Sequence, residues 1–330
     1  MRQPMNERET VRFVREILGS PGPDVLVPIG DDSTEFRFPS PDVLLTVDSL
    51  YEGVHFDLDI CGLSDVGYRA ATAGISDIAA MGGEPLCALL SIAFSRAPTR
   101  AEVLELLGGV REVTVVNGCE LVGGDVCRSP GGLALTVTVA GSPPEGGPVL
   151  RGGAREGDLV GMTGYAGDSA AGLFILQRGD GDAGERFPGL VGAHLRPKPR
   201  VLAGKILAGT GVTAMEDVSD GIAPDICDIC SESGLGCEIQ ADLIPLSDKL
   251  RELAAETSVD PLRWALSGGE DYELLFTAPP GRFEGILETL RRLEIPASRI
   301  GVMVAGEECR MVIAEGETVK LEGMGYEHFA

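Results

Sequence analysis

Gly141-Ser142-Pro143-Pro144-Glu145-Gly146-Gly147-Pro148 breaks an otherwise regular alternation of apolar strands and amphipathic helices. A stretch this rich in Gly and Pro, with little to bury, reads as a connection between folded units. Upstream, residues 7–18 carry Val11, Val14, Ile17 and Leu18 on one helical face and stop at Gly19-Ser20-Pro21. Strands are expected at 25–29, 43–47, 86–94, 120–122 and 133–140, with an Ala-rich helix from Ser64 towards Met81 and another over 99–116. Downstream the pattern resumes with a strand at 159–163, helices from Ser169 and around 201–207, a strand at 212–215 and a helix through Ile229. The expectation is an α+β chain of two αβ domains, 1–145 and 146–330, whose strand order the sequence does not give.

The 330 residues are enough for two cores, and 44% hydrophobic with 24% charged residues is ordinary globular composition. Fifty-one acidic residues against 27 basic ones leave a net charge of -24, which disfavours nucleic acid as a partner. The same field repels phosphate substrates, so any phosphate chemistry needs a local basic patch or bound cations. No apolar run is long enough to span a membrane, and no signal peptide opens the chain. The eight Cys are scattered rather than spaced as a disulfide framework, so a reducing cytoplasm is the expected setting.

Apolar segments and glycine pairs repeatedly end in aspartate: Asp31, Asp32, Asp48, Asp125, Asp217 and Asp220, with Asp77 inside the Ala-rich helix. Loops after strands gather at one sheet edge, where ligands bind. Carboxylates brought together there would repel by about 4 kcal/mol per pair at 4 Å and an effective dielectric near 20. Hard divalent cations relieve that repulsion, and oxygen donors without accompanying His select Mg²⁺ over Zn²⁺. Taken singly, each Asp is as readily a turn former or a helix cap.

Neither a P-loop nor a kinase His-Arg-Asp motif is present. Phosphate-binding candidates are Gly123-Gly124-Asp125 and the helix start at Gly164-Tyr165-Ala166-Gly167-Asp168-Ser169, each of which also reads as a plain tight turn. Cys227-Asp228-Ile229-Cys230 is a Cys-x-x-Cys, but no second pair with zinc-site spacing accompanies it, and two Cys on one helical face fit simple burial. His194 and His328 are read as packing residues, and Trp264 as core.

The ordered set of motifs resembles the thiamine-monophosphate kinase family. It comprises Gly30-Asp31-Asp32, Thr46-Val47-Asp48, Glu52-Gly53-Val54-His55-Phe56, Ser76-Asp77-Ile78-Ala79-Ala80-Met81-Gly82, Gly123-Gly124-Asp125 and Gly167-Asp168-Ser169-Ala170-Ala171-Gly172. Asp217-Val218-Ser219-Asp220-Gly221, Ser267-Gly268-Gly269-Glu270-Asp271-Tyr272-Glu273-Leu274 and Gly325-Tyr326-Glu327-His328-Phe329 complete it over nearly the whole chain. The resemblance implies the fold shared with aminoimidazole ribonucleotide synthetase, in which N-terminal domains of two subunits pair into an intersubunit β-barrel, hence a homodimer. It implies Asp32, Thr46, Val47, Asp48, Asp77, Asp125, Asp217 and Asp220 as the metal positions. Val47, where some relatives carry Thr, has only a backbone carbonyl to offer. Gly124, Asp125, Arg151 and Ser219 are implied as ATP contacts, and His55, Glu270 and Tyr326 as contacts for thiamine monophosphate.

Such an enzyme joins two polyanions. The acceptor phosphate is ionised at neutral pH, so alignment and charge neutralisation by several Mg²⁺ ions matter more than a strong base, and transfer from ATP is direct and in line. Arg151 supplies a fixed cation for ATP. Among same-fold rivals, selenophosphate synthetase wants a reactive Cys near the N-terminus, where the first Cys here is Cys61. The hydrogenase-maturation relative wants a C-terminal Cys, where this chain ends His328-Phe329-Ala330. Aminoimidazole ribonucleotide synthetase does not match the run from Ser267 to Leu274. A non-catalytic nucleotide- or cation-binding protein is the rival of a different class.

Overall fold

The computed structural model describes residues 4–29, 33–179, 181–313 and 316–325. Two compact units are present: residues 1–78 with 83–143, and residues 79–82 with 144–330.

In the first unit the elements run α1 (Glu7–Leu18), β1 (Val25–Val27), β2 (Glu35–Phe36), β3 (Leu44–Tyr51), α2 (Leu63–Ala80), β4 (Glu84–Phe94), α3 (Arg100–Val116), β5 (Glu120–Arg128) and β6 (Ala134–Ser142). Helices α1 and α3 each open on a reciprocal capping box, Asn6 with Glu9 and Thr99 with Glu102, which satisfies two otherwise orphaned N–H groups at each start. Four strands form a sheet in the order β3-β6-β4-β5, antiparallel except for the β4–β5 pair, which α3 connects. The pleat sorts side chains by face. Thr46, Val139 and Ala88 share one row, and Asp48, Val137 and Leu90 the next; the apolar members of both are buried. The other face leaves Leu45 72% and Val47 62% exposed. Helices α2 and α3 cross closely. A Cβ on Gly109 would lie 1.8 Å from the Ser64 carbonyl oxygen, and one on Gly67 2.2 Å from that of Leu106, so both helices need glycine at the crossing.

Two expectations for this unit are corrected. Asp48 is not a strand end but lies in the middle of β3, and Gly123-Gly124-Asp125 is not a turn but the interior of β5. Pairing with neighbouring strands carries the extended backbone through these polar and glycine positions, where apolar content alone would stop it.

The second unit contains β7 (Leu159–Thr163), α4 (Asp168–Arg178), α5 (Gly181–Arg186), α6 (Pro188–Leu195), α7 (Val201–Thr210), β8 (Ala214–Asp217), α8 (Ile222–Ser233), β9 (Gly236–Gln240), α9 (Asp248–Thr257), α10 (Pro261–Ser267), β10 (Leu274–Ala278), α11 (Pro280–Arg292), β11 (Ala297–Val304), β12 (Cys309–Val312) and β13 (Thr318–Lys320). Its seven-stranded sheet runs β13-β12-β9-β11-β7-β10-β8, with only β12–β9 parallel among the described pairs. Helices bury Ile226, Leu250 and Leu266 against Val160, Met162 and Leu275 of the strands, while Phe283 of α11 stacks on Phe276 of β10 at 5.7 Å.

Candidate active site

In the first unit, Thr46 and Asp48 are two apart on β3 and so point the same way, towards Asp77 on α2. The Thr46 hydroxyl donates to Asp77 Oδ2. Asp48 lies against Asp77, and burial followed by that neighbouring carboxylate pushes its carboxyl up to about 7. Asp48 Oδ2 is buried without a hydrogen-bond partner. One turn before Asp77, Gly74 packs against β6, where a Cβ would stand 2.8 Å from Val139 Cγ2 and 3.6 Å from that oxygen. A buried acceptor with no donor, a second carboxylate and a hydroxyl form a set of hard oxygen donors. That set fits Mg²⁺, which is commonly held by one or two carboxylates with water and substrate phosphate.

Other residues implied for this site lie elsewhere. The Val47 side chain projects from the opposite face. Asp125 is exposed on β5, the far edge of the sheet from β3, and its row contains Ser91, Thr136 and Ser49 rather than Asp48. Gly124, at φ 155°, is needed where β5 meets β4, since a Cβ there would sit 1.8 Å from the Leu90 carbonyl oxygen. His55 follows β3, and its Nδ1 accepts from the Tyr51 N–H at 3.0 Å, which fixes the neutral imidazole's proton on Nε2. Asp32 lies outside the described residues.

In the second unit β8 delivers Glu216 and Asp217 into the loop Val218-Ser219-Asp220-Gly221. Buried Asp225, on the first turns of α8, holds that loop: its Oδ2 accepts from the N–H groups of Ser219 at 3.0 Å, Asp220 at 3.3 Å and Gly221 at 3.2 Å. Burial, then Glu216, Asp217 and Asp220, pushes its carboxyl well above the usual range. Arg151 pairs with Glu216 at 2.9 Å and Asp228 at 3.6 Å. Even so, burial pushes Glu216 up to about 9, and its Oε2 has no hydrogen-bond partner.

The run from Ser267 to Leu274 is laid along the same loop. Glu270 N–H donates to the Ser219 carbonyl at 2.8 Å, and Tyr272 N–H to that of Val218 at 2.9 Å. Glu270 and Tyr272 take φ values of 57° and 51°, left-handed conformations that cost energy in residues with side chains and gather at functional sites. Ser219 and Glu270, far apart in sequence, are thereby neighbours. Gly325 ends the described chain beside this loop, where its Cβ would lie 3.3 Å from the Asp220 carbonyl oxygen. Tyr326, the next residue, lies outside the described residues.

Several partners escaped the sequence reading. His194, read as packing, is buried, but its Nδ1 stands 3.5 Å from Glu270 Oε2 and 3.2 Å from Ser169 Oγ. Asp271 accepts from the N–H groups of Gly167 at 2.6 Å and Ser169 at 3.1 Å. The helix start proposed above for phosphate is thus already filled by the chain's own carboxylate. Glu273 bonds Arg200 at 2.8 Å and Thr163 at 2.6 Å. Arg196, Lys198 and Arg200 line a cavity of about 420 Å³ together with Asp168, Asp271 and Glu273, and Tyr165 also borders it. The run Arg196-Pro197-Lys198-Pro199-Arg200 could have pointed to it.

The AIR synthase related protein models match this chain, the N-terminal domain over residues 30–142 and the C-terminal domain over 155–314. The chain is 39% identical to the thiamine-monophosphate kinase of Escherichia coli across 93% of each protein, and 33% identical to that of Bacillus subtilis across 92% of this chain and 93% of the other. Its structure resembles the thiamine-monophosphate kinase of Stenotrophomonas maltophilia with a TM-score of 0.82 at 30% identity, covering 97% of this chain and 100% of that one. It also resembles AaThiL complexed with AMPPCP and TMP, with a TM-score of 0.78 at 32% identity over 98% and 97% of the two chains. The hydrogenase maturation protein HypE of Escherichia coli shares the fold at 18% identity and a TM-score of 0.77.

Proposed function

The chain belongs to the thiamine-monophosphate kinase family, and we propose that it carries out that family's reaction, transferring the γ-phosphoryl group of ATP to thiamine monophosphate to give thiamine pyrophosphate. The observation that carries the reading is Asp48 set against Asp77, with Asp48 Oδ2 buried and without a hydrogen-bond partner, in a chain this similar to known kinases.

Thr46, Asp48, Asp77 and Asp217, with Asp220 and Asp32, would hold Mg²⁺, and Val47 would offer only its backbone carbonyl. When bound, Mg²⁺ neutralises charge on the two phosphates that must approach each other. Arg151 exchanges part of its contact with Glu216 for an ATP phosphate, its guanidinium fork suiting the phosphate oxygens. Glu216, already favouring its protonated form, tolerates that exchange. Ser219, held by Asp225, lies against the nucleotide with Gly124. His55 presents its Nε2–H to the acceptor phosphate. Glu270, in its left-handed conformation, faces the cationic acceptor, and Tyr326 stacks on its heteroaromatic ring. The phosphate oxygen of the acceptor attacks directly, and no protein nucleophile intervenes.

Exposed Leu45 and Val47 on one sheet face suit burial against a second copy, so the protein works as a homodimer in the cytoplasm. Asp125, on the edge away from Asp48, then serves as nucleotide and metal contact in the site of the neighbouring subunit. Among the described residues no helix is long and apolar enough to cross a membrane.

The test is mass-resolved product detection with ATP and Mg²⁺ across a panel of phosphorylated acceptors. Thiamine pyrophosphate should form, and Asp48→Asn should nearly abolish it. Binding of thiamine monophosphate without product would favour the non-catalytic reading. Mixed dimers of Asp48→Ala and Asp125→Ala subunits should regain activity that neither parent has, because one of the two sites is then intact; no recovery would place Asp125 in the same subunit's site.

A further inference from the structure

We propose that Cys227, Cys230, Cys237 and Cys309 form a structural zinc site, a role independent of the phosphoryl-transfer reading. The Sγ atoms of Cys230, Cys237 and Cys309 all lie within 4.8 Å of one another, and all three residues are buried. Among the described residues no other three His, Cys, Asp or Glu side chains close to that distance. Cys227, half-buried and one turn before Cys230, lies outside that group of three and would swing in to supply the fourth sulfur. None of these cysteines is in a disulfide.

The spacing argument against metal binding fails because the second pair comes from separate strands. Cys227 and Cys230 stand one turn apart on α8, on the face turned to the sheet. Cys237 on β9 and Cys309 on β12 are direct partners in the parallel ladder, and so project from the same face. The backbone fixes these positions tightly. Cys237 N–H donates to the Glu308 carbonyl at 3.1 Å, Leu235 N–H to that of Cys230 at 3.0 Å, and Leu321 N–H to that of Cys309 at 3.0 Å. A Cβ on Gly236 would lie 2.4 Å from the Glu308 carbonyl oxygen, so glycine lets the two strands close at the point where both thiols begin.

Four thiolates in a tetrahedron with Zn–S of about 2.3 Å have sulfurs about 3.8 Å apart, a spacing compatible with the 4.8 Å that encloses the Cys230, Cys237 and Cys309 sulfurs and one that Cys227 reaches by moving towards them. Four sulfur donors with no open position define a structural rather than a catalytic centre, and soft, tetrahedral S₄ ligation selects zinc over magnesium. Ligation would release the thiol protons and leave the zinc tetrathiolate in the core cluster that contains Ile226, Ile239 and Met311. The centre staples the C-terminal half of α8 to two strands. The N-terminal end of the same helix carries Asp225 and the loop it orders, so zinc sets the position of the candidate active-site loop from the far end of its helix.

The experiment uses full-length protein expressed with added zinc and purified without chelator. Elemental analysis should find one zinc per chain, while Cys309→Ser and Cys230→Ser fall to a small fraction of that and Cys61→Ser, a buried Cys elsewhere, keeps the full complement. Should the serine variants not fold, the wild type still decides. Titrating its thiols with a mercurial should release one zinc to a chromogenic indicator, and cobalt exchanged into the site should show intense tetrahedral-thiolate absorption. A zinc-selective chelator should lower the thermal midpoint of the wild type. Zinc-free wild type, zinc retained by Cys309→Ser, iron in place of zinc, or a non-reduced mass showing these cysteines oxidised in pairs would each overturn the proposal.

Discussion

Replacing Asp225 separates what its oxygen accepts from the charge it carries. Its Oδ2 receives three backbone N–H groups, at 3.0, 3.3 and 3.2 Å. Asp225→Ala leaves all three donors without an acceptor in a buried site, at about 1 kcal/mol each, or about 3 kcal/mol in all. Asp225→Asn keeps a carbonyl acceptor at the same place and removes a negative charge that burial and Glu216, Asp217 and Asp220 all oppose. Its cost should be below about 1 kcal/mol. The difference, about 2 kcal/mol, corresponds to about 6 °C in thermal midpoint for a unit of this size. Trp264 is the only Trp in the chain and is buried in α10 of the second unit, against the ring of Phe174 at 5.4 Å. Its fluorescence therefore follows unfolding of the unit that contains Asp225. Equal stabilities of the Ala and Asn variants would refute the reasoning, because they would mean that the three donors find water when the carboxylate is gone.

Arg151→Lys should raise the KM for ATP about tenfold, since a single ammonium cannot reproduce the guanidinium fork, and should change the KM for thiamine monophosphate far less; an equal effect on both, in steady-state kinetics, would remove Arg151 from the nucleotide. In chelator, the wild type should lose stability relative to Asp48→Asn as pH rises. The Asp48 carboxyl, moved from 3.8 to about 7, binds its proton more tightly in the folded state, so its contribution is full below about pH 4 and lost by about pH 7. Parallel urea-denaturation profiles of the two proteins over that range would contradict the assignment. Gly109→Ala should destabilise the first unit by about 2 kcal/mol, because α2 and α3 must separate. A loose crossing would instead gain about 1 kcal/mol from the better helix former, so the sign of the change in urea denaturation settles the packing.

The helices were legible because their signals are local. Apolar spacing and the stop at Gly19 define α1 to the residue, and α3 differs from expectation only in that Thr99 caps it. Strand limits were less legible, because ladder pairing extends β3 through Asp48 and β5 through two glycines. In the candidate site, the i, i+2 relation put Thr46 and Asp48 on one side from sequence alone. Their meeting with Asp77 depends on how α2 packs on the sheet. Asp225 carried no signal in the sequence, and Asp271 and Glu273 stood only within the motif run; the fold reveals that these carboxylates accept from backbone N–H groups or pair with arginine. The four-cysteine cluster was hidden for the same reason: its members come from three elements, and register rather than spacing unites them.

Strand β6 lies between β3 and β4, yet it is the last strand of its sheet to leave the ribosome. Until it emerges, β3 and β4 have no shared partner, and the growing chain shows apolar residues beside unpaired backbone. At roughly 5–20 residues per second, the stretch from the end of β3 to the end of β6 keeps this intermediate exposed for many seconds. Chaperone demand should therefore peak before residue 142 has emerged and fall sharply once that final strand slots into the gap.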